Sequence, residues 1–182
     1  MNIEYDERKF KELLLYVAHR LSGDRAGGST KLNKVLFFAD FTHVRRTGTA
    51  ITGAEYQKLP QGPAPRRLLP VREQLLANSE ARLVREEFLG YEVHRLVPLR
   101  AADTSVFTAS ELETIDGVLA DLAGLNARQV SDLSHDEAGW RLTDDGEVIP
   151  YESALVGARQ VRTPTSERLE REVAATYGLA PV

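Results

Sequence analysis

The sequence predicts an α+β fold that is mostly helical, with a small antiparallel β-sheet. Apolar residues recur at helical spacing within residues 6–21, at Phe10, Leu13, Leu14, Val17 and Leu21. Two segments with alternating side chains, 82–88 and 91–97, flank Leu89-Gly90 in the manner of a β-hairpin. Helix-capping boxes in the second half of the chain are the third observation, and they indicate further helices after the hairpin.

Length and composition agree with a globular domain. The chain has 182 residues, of which 42% are hydrophobic and 27% charged. We expect a single domain over residues 1–160 and a helical extension over residues 161–182. The absence of cysteine excludes a disulfide scaffold, a thiolate nucleophile and a cysteine-ligated zinc site. The polar N-terminus and the lack of a run of about 20 apolar residues predict a cytoplasmic protein without membrane contact.

The second predicted helix, residues 31–46, is apolar on almost all sides and is therefore expected to be central and buried. It nevertheless carries polar residues. On a helical wheel, Asn33 and Asp40 lie one above the other between two apolar faces, and His43 lies near the centre of one face. Because a buried polar group without a hydrogen bond costs about 1–3 kcal/mol, these side chains should have partners.

The segment after this helix is not helical. Residues 49–52 and 55–58 are predicted as two short strands, and residues 59–65 contain three prolines that fix the backbone. Pro65 suits the first turn of a third helix that extends to about Asn78. A rigid segment with an aromatic and a cationic side chain suits contact with a protein, since pre-set loops lose little entropy on docking. Alternatively, Tyr56 belongs to the core and Lys58 to the solvated surface, and the sequence leaves both interpretations open.

Further helices are predicted after the hairpin. Residues 108–111, 126–129 and 134–137 have the sequences of N-terminal caps. The third of these predicts a helix whose first turn contains a histidine and an aspartate. Residues 151–159 are predicted as another short helix, and residues 167–177 as a charged helix with a thin apolar stripe.

Charge is distributed unevenly along the chain, although the net charge is only −4. Residues 31–72 carry an excess of six positive charges, and residues 110–152 carry an excess of nine negative charges. Such an asymmetry can steer a partner, or the two regions can neutralise each other inside the fold. The sequence leaves both interpretations open.

Other function classes have weaker support from the residues. Asp40, His43, His135 and Glu137 could form a metal site of a hydrolase, but no H-E-x-x-H or comparable signature is present. The basic region could contact phosphates, but no nucleic-acid-binding motif accompanies it. A buried structural network is the favoured interpretation of the polar helix residues.

Residues 31–65 resemble the signature of the SocA-like antitoxin family, also called the Panacea domain. The resemblance comprises a helix of the type K-L-x-K-L-L followed by A-D, then I-T-G-x-x-Y and G-P-x-P. The residues that carry it here are Lys31, Leu32, Lys34, Leu36, Phe37, Ala39, Asp40, His43, Gly48, Ile51, Thr52, Gly53, Tyr56, Gly62, Pro63 and Pro65. A second block is similar to L-S-H-x-E-x-x-W, at Leu133, Ser134, His135, Glu137 and Trp140.

The resemblance implies a mostly helical domain that acts as the antitoxin of a bacterial or phage toxin–antitoxin pair. Its partner would be a toxin encoded nearby, such as an alarmone-synthetase-like toxin that blocks translation. Neutralisation would occur by direct binding, or by delivery of the toxin to a protease or its unfoldase. A binding protein of this kind is not an enzyme and needs no cofactor or metal, and nucleic acid is not an expected partner. The oligomeric state stays open.

Two sets of residues are therefore expected to matter. Toxin binding is assigned to the rigid segment and the C-terminal helix, at Tyr56, Lys58, Gln61, Arg66, Glu167 and Arg171. A structural polar network that holds the rigid segment in shape is assigned to Asn33, Asp40, His43, His135 and Trp140. In this hypothesis Asp40 pairs with the loop after its own helix, and His135 reaches it from the acidic region.

Overall fold

The structure is a computed structural model that describes residues 3–88 and 90–156. This part of the chain forms six α-helices: α1 (Glu7–Arg20), α2 (Ser29–Thr47), α3 (Leu68–Ala77), α4 (Ala109–Asp121), α5 (Ala127–His135) and α6 (Ala138–Leu142). It also forms four strands: β1 (Tyr56–Gln57), β2 (Ala64–Pro65), β3 (Ala81–Phe88) and β4 (Tyr91–Pro98). Two 3₁₀ turns lie at Thr104–Val106 and Tyr151–Leu155. The predicted α+β class is confirmed, with two small antiparallel sheets instead of one.

Helix α2 is the centre of the fold, as predicted from the apolar residues on almost all of its sides. It packs against α1, α4, α5, β2, β4 and the 3₁₀ turn at Tyr151–Leu155. Its buried side chains include aliphatic and aromatic residues on several sides, at Leu32, Val35, Leu36, Phe37, Phe41 and Val44. Gly48 ends the helix in the left-handed conformation that favours glycine. Four polar residues of α2 are buried with these side chains, at Lys31, Lys34, Asp40 and His43, whereas Arg46 and Thr47 at its end are exposed.

The hairpin of β3 and β4 is confirmed, with Ala81 opposite Pro98 at its open end. Two arginines connect this hairpin to the helices. Arg95 donates to the carbonyl of Leu21 at the end of α1, over 2.9 Å. Arg100, just after β4, forms a bidentate ion pair with Glu12 of α1, over 2.7 and 2.8 Å. These contacts hold the hairpin against α1.

The segment from Tyr56 to Pro65, called the 56–65 loop below, forms its own small sheet. Tyr56 pairs with Pro65 at the base of this loop. Residues 146–149 lie along the other side of β1, where Ile149 N–H donates to the Tyr56 carbonyl over 2.8 Å and Lys58 N–H donates to the Glu147 carbonyl over 2.9 Å. The loop is therefore held from both edges of its first strand.

Three local predictions were wrong. Residues 49–52 form bends and not a strand, because the backbone N–H of Thr52 bonds to Asp40. The third helix begins at Leu68 and not at Pro65, because Pro65 pairs with Tyr56. Residues 134–137 do not open a helix, because Ser134 and His135 still belong to α5.

The remaining helix predictions have mixed outcomes. The capping boxes at Thr108 and Asn126 are both formed, with the reciprocal side-chain bonds that define them. Residues 151–159 were predicted as a helix, and the structure has a 3₁₀ turn at Tyr151–Leu155. The helix predicted at residues 167–177 lies outside the described residues. None of the helices in the described ranges has the length and apolar character needed to cross a bilayer.

Candidate functional site

Asp40 lies at the centre of a fully buried polar cluster with Thr52 and Tyr56, called the Asp40 cluster below. Its Oδ1 accepts a hydrogen bond from the Thr52 backbone N–H over 2.7 Å. Its Oδ2 accepts from the Thr52 hydroxyl over 2.6 Å and from the Tyr56 hydroxyl over 2.8 Å. These bonds join the middle of α2 to the segment that leads into the 56–65 loop.

Burial controls the protonation of this cluster. Removal from water raises the pKa of Asp40, although hydrogen bonds from Thr52 and Tyr56 act in the opposite direction. Burial also raises the pKa of Tyr56 well above 10, and the nearby Asp40 carboxylate adds to this effect. Tyr56 therefore stays protonated at neutral pH and serves as a hydrogen-bond donor.

The 56–65 loop is fixed by three side-chain donors, each from a different helix. Lys34 of α2 donates from Nζ to the Pro63 carbonyl over 3.1 Å. Ser131 of α5 donates from Oγ to the Gln61 carbonyl over 3.0 Å. Trp140 of α6 donates from Nε1 to the Leu59 carbonyl over 3.3 Å. The three acceptors are therefore the carbonyls of residues 59, 61 and 63. Alternate carbonyls of the loop thus point toward the helices that hold it.

Gly62 allows the loop to approach the helices this closely. It adopts φ +90°, which L side chains rarely adopt. A Cβ at this position would lie 2.3 Å from the Ser134 Oγ and 2.7 Å from the Lys34 Cε. The position therefore requires glycine for both its backbone conformation and its packing.

Lys34 is an unusual buried cation. Its side chain is almost completely enclosed, and burial lowers its pKa from 10.5 to about 8. The Pro63 carbonyl is the hydrogen-bond acceptor that the described residues offer to its Nζ. A lysine without a carboxylate partner at this depth destabilises the fold while it is charged, so its place here points to its role in holding the loop.

A second group of side chains surrounds Trp140. The His135 ring stacks on the Trp140 ring with centroids 4.0 Å apart, and the Lys58 Nζ lies 4.5 Å from the Trp140 ring centroid. Lys58 also donates to the Thr143 carbonyl over 3.0 Å. Burial lowers the pKa of His135, and the positive charge of Lys34 adds to this effect. The group attaches the start of the 56–65 loop to α5 and α6.

Residues 32–141, more than half of the chain, match the family model described as "Antitoxin SocA-like, Panacea domain". The chain belongs to the SocA-like antitoxin family. No curated protein and no solved structure matches the chain. The matched range runs from the start of α2 to α6, so this Panacea domain contains the Asp40 cluster, the 56–65 loop and its three donors.

The structure brings two of the five predicted network residues of the Panacea domain together, His135 and Trp140, and gives the other three separate surroundings. Asp40 bonds to Thr52 and Tyr56, whereas His43 lies 3.1 Å from the Thr114 hydroxyl of α4. His135 contacts Trp140, far along the chain from either of them. The Oδ1 of Asn33 is buried without a hydrogen-bond partner among the described residues. The expected contact between His135 and Asp40 is replaced by the bonds from Thr52 and Tyr56.

The four residues of the alternative metal site also have separate partners. Glu137 forms an ion pair with Arg45 of α2, and Arg45 also donates to the Ala154 carbonyl over 3.0 Å. Within residues 3–88 and 90–156, no group of three or more His, Asp or Glu side chains could hold a metal ion. Asp40, His43 and Glu137 are thus hydrogen-bonded or ion-paired, whereas the His135 Nε2 is buried without a hydrogen-bond partner among the described residues.

The predicted toxin-binding residues differ in their exposure. Tyr56 is 0% exposed, so its side chain lies in the core and anchors the base of the loop there. Lys58 is largely enclosed by Trp140 and Thr143, while Gln61 and Arg66 are exposed. Arg66 lies 3.6 Å from the Glu55 carboxylate. Glu167 and Arg171 lie outside the described residues.

Three residues of this site were missed by the sequence analysis: Lys34, Thr52 and Ser131. Lys34 had a usable signal, because a lysine inside an apolar helix needs an acceptor. Thr52 lies in the I-T-G-x-x-Y part of the family resemblance, but nothing there indicates its partner, and Ser131 had no signal because serine is common on helix surfaces. Their partners become apparent only when distant elements come together.

Some charges of the basic region, residues 31–72, form ion pairs with the acidic region, residues 110–152. Arg45 pairs with Glu137, the Arg46 Nη2 lies 3.1 Å from Glu113, and the Lys58 Nζ lies 3.4 Å from Asp145. Each pair joins the basic region to the acidic region. Part of the charge asymmetry is therefore neutralised within the fold, which was one of the two open interpretations.

Proposed function

We propose that this protein is the antitoxin of a toxin–antitoxin pair and that it neutralises a toxin encoded nearby by direct protein–protein binding. Its membership of the SocA-like antitoxin family supports this proposal. The buried polar residues support it as well, because Asp40, His43 and Glu137 have structural partners. A non-enzymatic role follows from this proposal.

The observation that carries the binding mode is the attachment of the 56–65 loop to three helices. Lys34, Ser131 and Trp140 fix its carbonyls from below. Its outer side presents Gln61, with Arg66 exposed just after β2. A loop that is ordered before binding loses little conformational entropy when a partner docks on it. We assign toxin contact to this outer side, with Lys58 at its edge.

The C-terminal segment is the second element of the proposed contact. Glu167 and Arg171 carry opposite charges four residues apart in the predicted helix. Such a charged surface suits recognition of one particular toxin, since complementary charges set partner choice more than affinity. The pre-ordered loop would then supply affinity, and the charged helix would supply specificity.

The experiment expresses the neighbouring gene alone and together with this protein, and scores growth and co-purification. Toxicity, rescue and a stable complex are the expected results. Arg66→Glu should weaken rescue, because it reverses a charge on the proposed contact surface. Arg8→Glu is the matched control, since Arg8 is an exposed arginine on α1 that pairs with Asp103. Equal rescue by both variants would contradict this contact surface.

Direct inhibition and proteolytic delivery are separated in a purified system. We expect the toxin to block a reconstituted translation reaction, and the antitoxin to restore it without any protease. Restoration that occurs only in cells with an active protease and its unfoldase would establish the adaptor mode. A neighbouring gene product without toxicity would overturn the proposed function itself.

A further inference from the structure

A groove of about 790 Å³ lies on the side of the domain formed by α2, α4, α5 and α6. Much of its wall is apolar, with the side chains of Phe38, Val118, Leu122, Leu133, Leu142 and Val156. Three of these side chains are strongly exposed: Leu133 at 43%, Leu142 at 76% and Val156 at 55%. A cluster of exposed aliphatic residues around a groove marks a docking surface.

The chain itself leads into this groove. Val156 is the last residue that the structure describes, and it forms part of the groove wall. Residues 157–182 therefore continue from the groove. A segment tethered at the edge of a docking surface has an effective concentration of order mM there, which exceeds the concentration of a free partner.

We propose that residues 157–182 cover this groove in the same chain and place their apolar stripe against it. The stripe consists of Leu169, Val173 and Thr176, at helical spacing. A helix with so narrow a stripe is not stable alone in water, because most helical stability in proteins comes from packing of the apolar face. The groove offers the apolar surface that this helix lacks.

The length of the connection fits this arrangement. Residues 157–166 lie between the groove wall and the predicted helix, and they reach up to roughly 35 Å when extended. The helix predicted at residues 167–177 is roughly 16 Å long. The connection is therefore long enough to turn the helix back across the groove in either direction.

Charge complementarity supports the same occupant. The groove lining carries the carboxylates of Asp121, Asp136 and Glu137 against Arg45 and Arg141, a balance of −1, and Glu137 is paired with Arg45. The connecting segment carries Arg159 and Arg162 at the point where it leaves the groove wall. These arginines can pair with the groove carboxylates, and exposed pairs of this kind add orientation more than stability.

Docking of the stripe in the groove also determines the direction in which the opposite face of the helix points. At about 100° per residue, Glu167 and Arg171 lie roughly 160–200° away from Leu169. With the stripe in the groove, both charged side chains face outward. This consequence rests on the proposed function, because it makes the groove the anchor of the helix and its outer face the toxin contact.

Disulfide trapping tests the docking without any toxin, and the natural absence of cysteine makes the pairing unambiguous. Leu142→Cys with Val173→Cys, oxidised at low protein concentration, should give a cross-link within one chain. Leu142→Cys with Arg171→Cys is the matched control, because position 171 faces away from the groove. A cross-link in the first pair and little in the second is the expected result.

A second pair covers the case of a shifted helix. Leu133→Cys with Leu169→Cys probes another depth of the same groove, and intact mass after digestion identifies the linked peptides. Cross-links between two chains would assign the groove to a second copy and overturn the proposal. Equal or absent cross-linking in all pairs would overturn it too. Since no toxin is present, failure here leaves the antitoxin function separately testable.

Discussion

The Tyr56 hydroxyl lies within hydrogen-bond distance of two acceptors, 2.8 Å from the Asp40 Oδ2 and 2.9 Å from the Leu36 carbonyl. A hydroxyl has one proton, so it donates to only one of them at a time. If Asp40 is protonated, its own O–H can donate to Tyr56 while Tyr56 donates to Leu36. Burial raises the pKa of Asp40 and thus favours this arrangement.

Replacement of Asp40 distinguishes a neutral from a charged cluster. Asp40→Ala leaves the backbone N–H and the hydroxyl of Thr52 without their acceptor, takes one of two acceptors from Tyr56 and opens a cavity, so the free energy of unfolding should fall by about 3–5 kcal/mol. Asp40→Asn should cost about 1 kcal/mol, because its amide can donate where the protonated carboxyl does. Urea denaturation measures both. An Asn variant as unstable as the Ala variant would show that the cluster needs the negative charge.

Gly62→Ala should destabilise the domain by about 2–4 kcal/mol, because it combines an unfavourable φ of +90° with contacts to Ser134 and Lys34. Gly124→Ala is the control. Gly124 has a similar φ of +76° but nothing within 4 Å of an added Cβ, so it should cost about 1 kcal/mol. Thermal denaturation compares the two variants. Equal losses would mean that backbone strain alone limits position 62.

Lys34 should make the domain more stable as the pH rises from about 8 to 10. Burial lowers its pKa to about 8 in the folded chain, against 10.5 without burial. In this range the unfolded chain binds a proton that the folded chain has released, so the free energy of unfolding increases with pH. Above pH 10 the buried Tyr56 opposes the trend, because burial raises its pKa.

The Lys34→Met variant isolates this effect. It keeps most of the side-chain length and the tyrosines of the protein, but it removes the titrating amine. In urea denaturation at pH 7, 8, 9 and 10, the free energy of unfolding of the wild type minus that of Lys34→Met should rise with pH. Parallel curves for the two proteins would show that Lys34 does not titrate in this range.

Single-donor variants test how the 56–65 loop is held. Ser131→Ala removes the bond to the Gln61 carbonyl, and Trp140→Phe removes the bond to the Leu59 carbonyl. Each should lower the free energy of unfolding by about 1 kcal/mol, the usual net value of one hydrogen bond. Amide hydrogen exchange should increase at Leu59, Gln61 and Gly62 in both variants. Unchanged exchange there would show that pairing with residues 146–149 holds the loop alone.

The helices were largely predictable from sequence because their signals are local. Apolar spacing defines α1 and α2, and the boxes at Thr108 and Asn126 mark the starts of α4 and α5. The capping box predicted at residues 134–137 does not form, and the reason is physical. The Ser134 hydroxyl donates back to the Ser131 carbonyl of its own helix, over 2.7 Å, and so extends α5 instead of starting a new helix.

The site was less predictable because its contacts join distant parts of the chain. Asp40 was identified as a buried polar residue, and its bond to the loop after its helix follows from sequence proximity. Ser131 and Gln61 are 70 residues apart, and Trp140 and Leu59 are 81 apart. Periodicity carries no information about which distant carbonyl a hydroxyl or an indole will meet.

The pairing of residues 146–149 with β1 has a consequence for the order of events during synthesis. Lys58 leaves the ribosome about ninety residues before its partner Glu147. At bacterial and eukaryotic elongation rates of about 5–20 residues per second, this delay is roughly 5–20 s. A nascent chain, or one truncated by a premature stop before Gly146, has most of its helices but an incompletely paired loop. Under the proposed function, the toxin contact of this loop is therefore complete only when translation of the domain is almost finished.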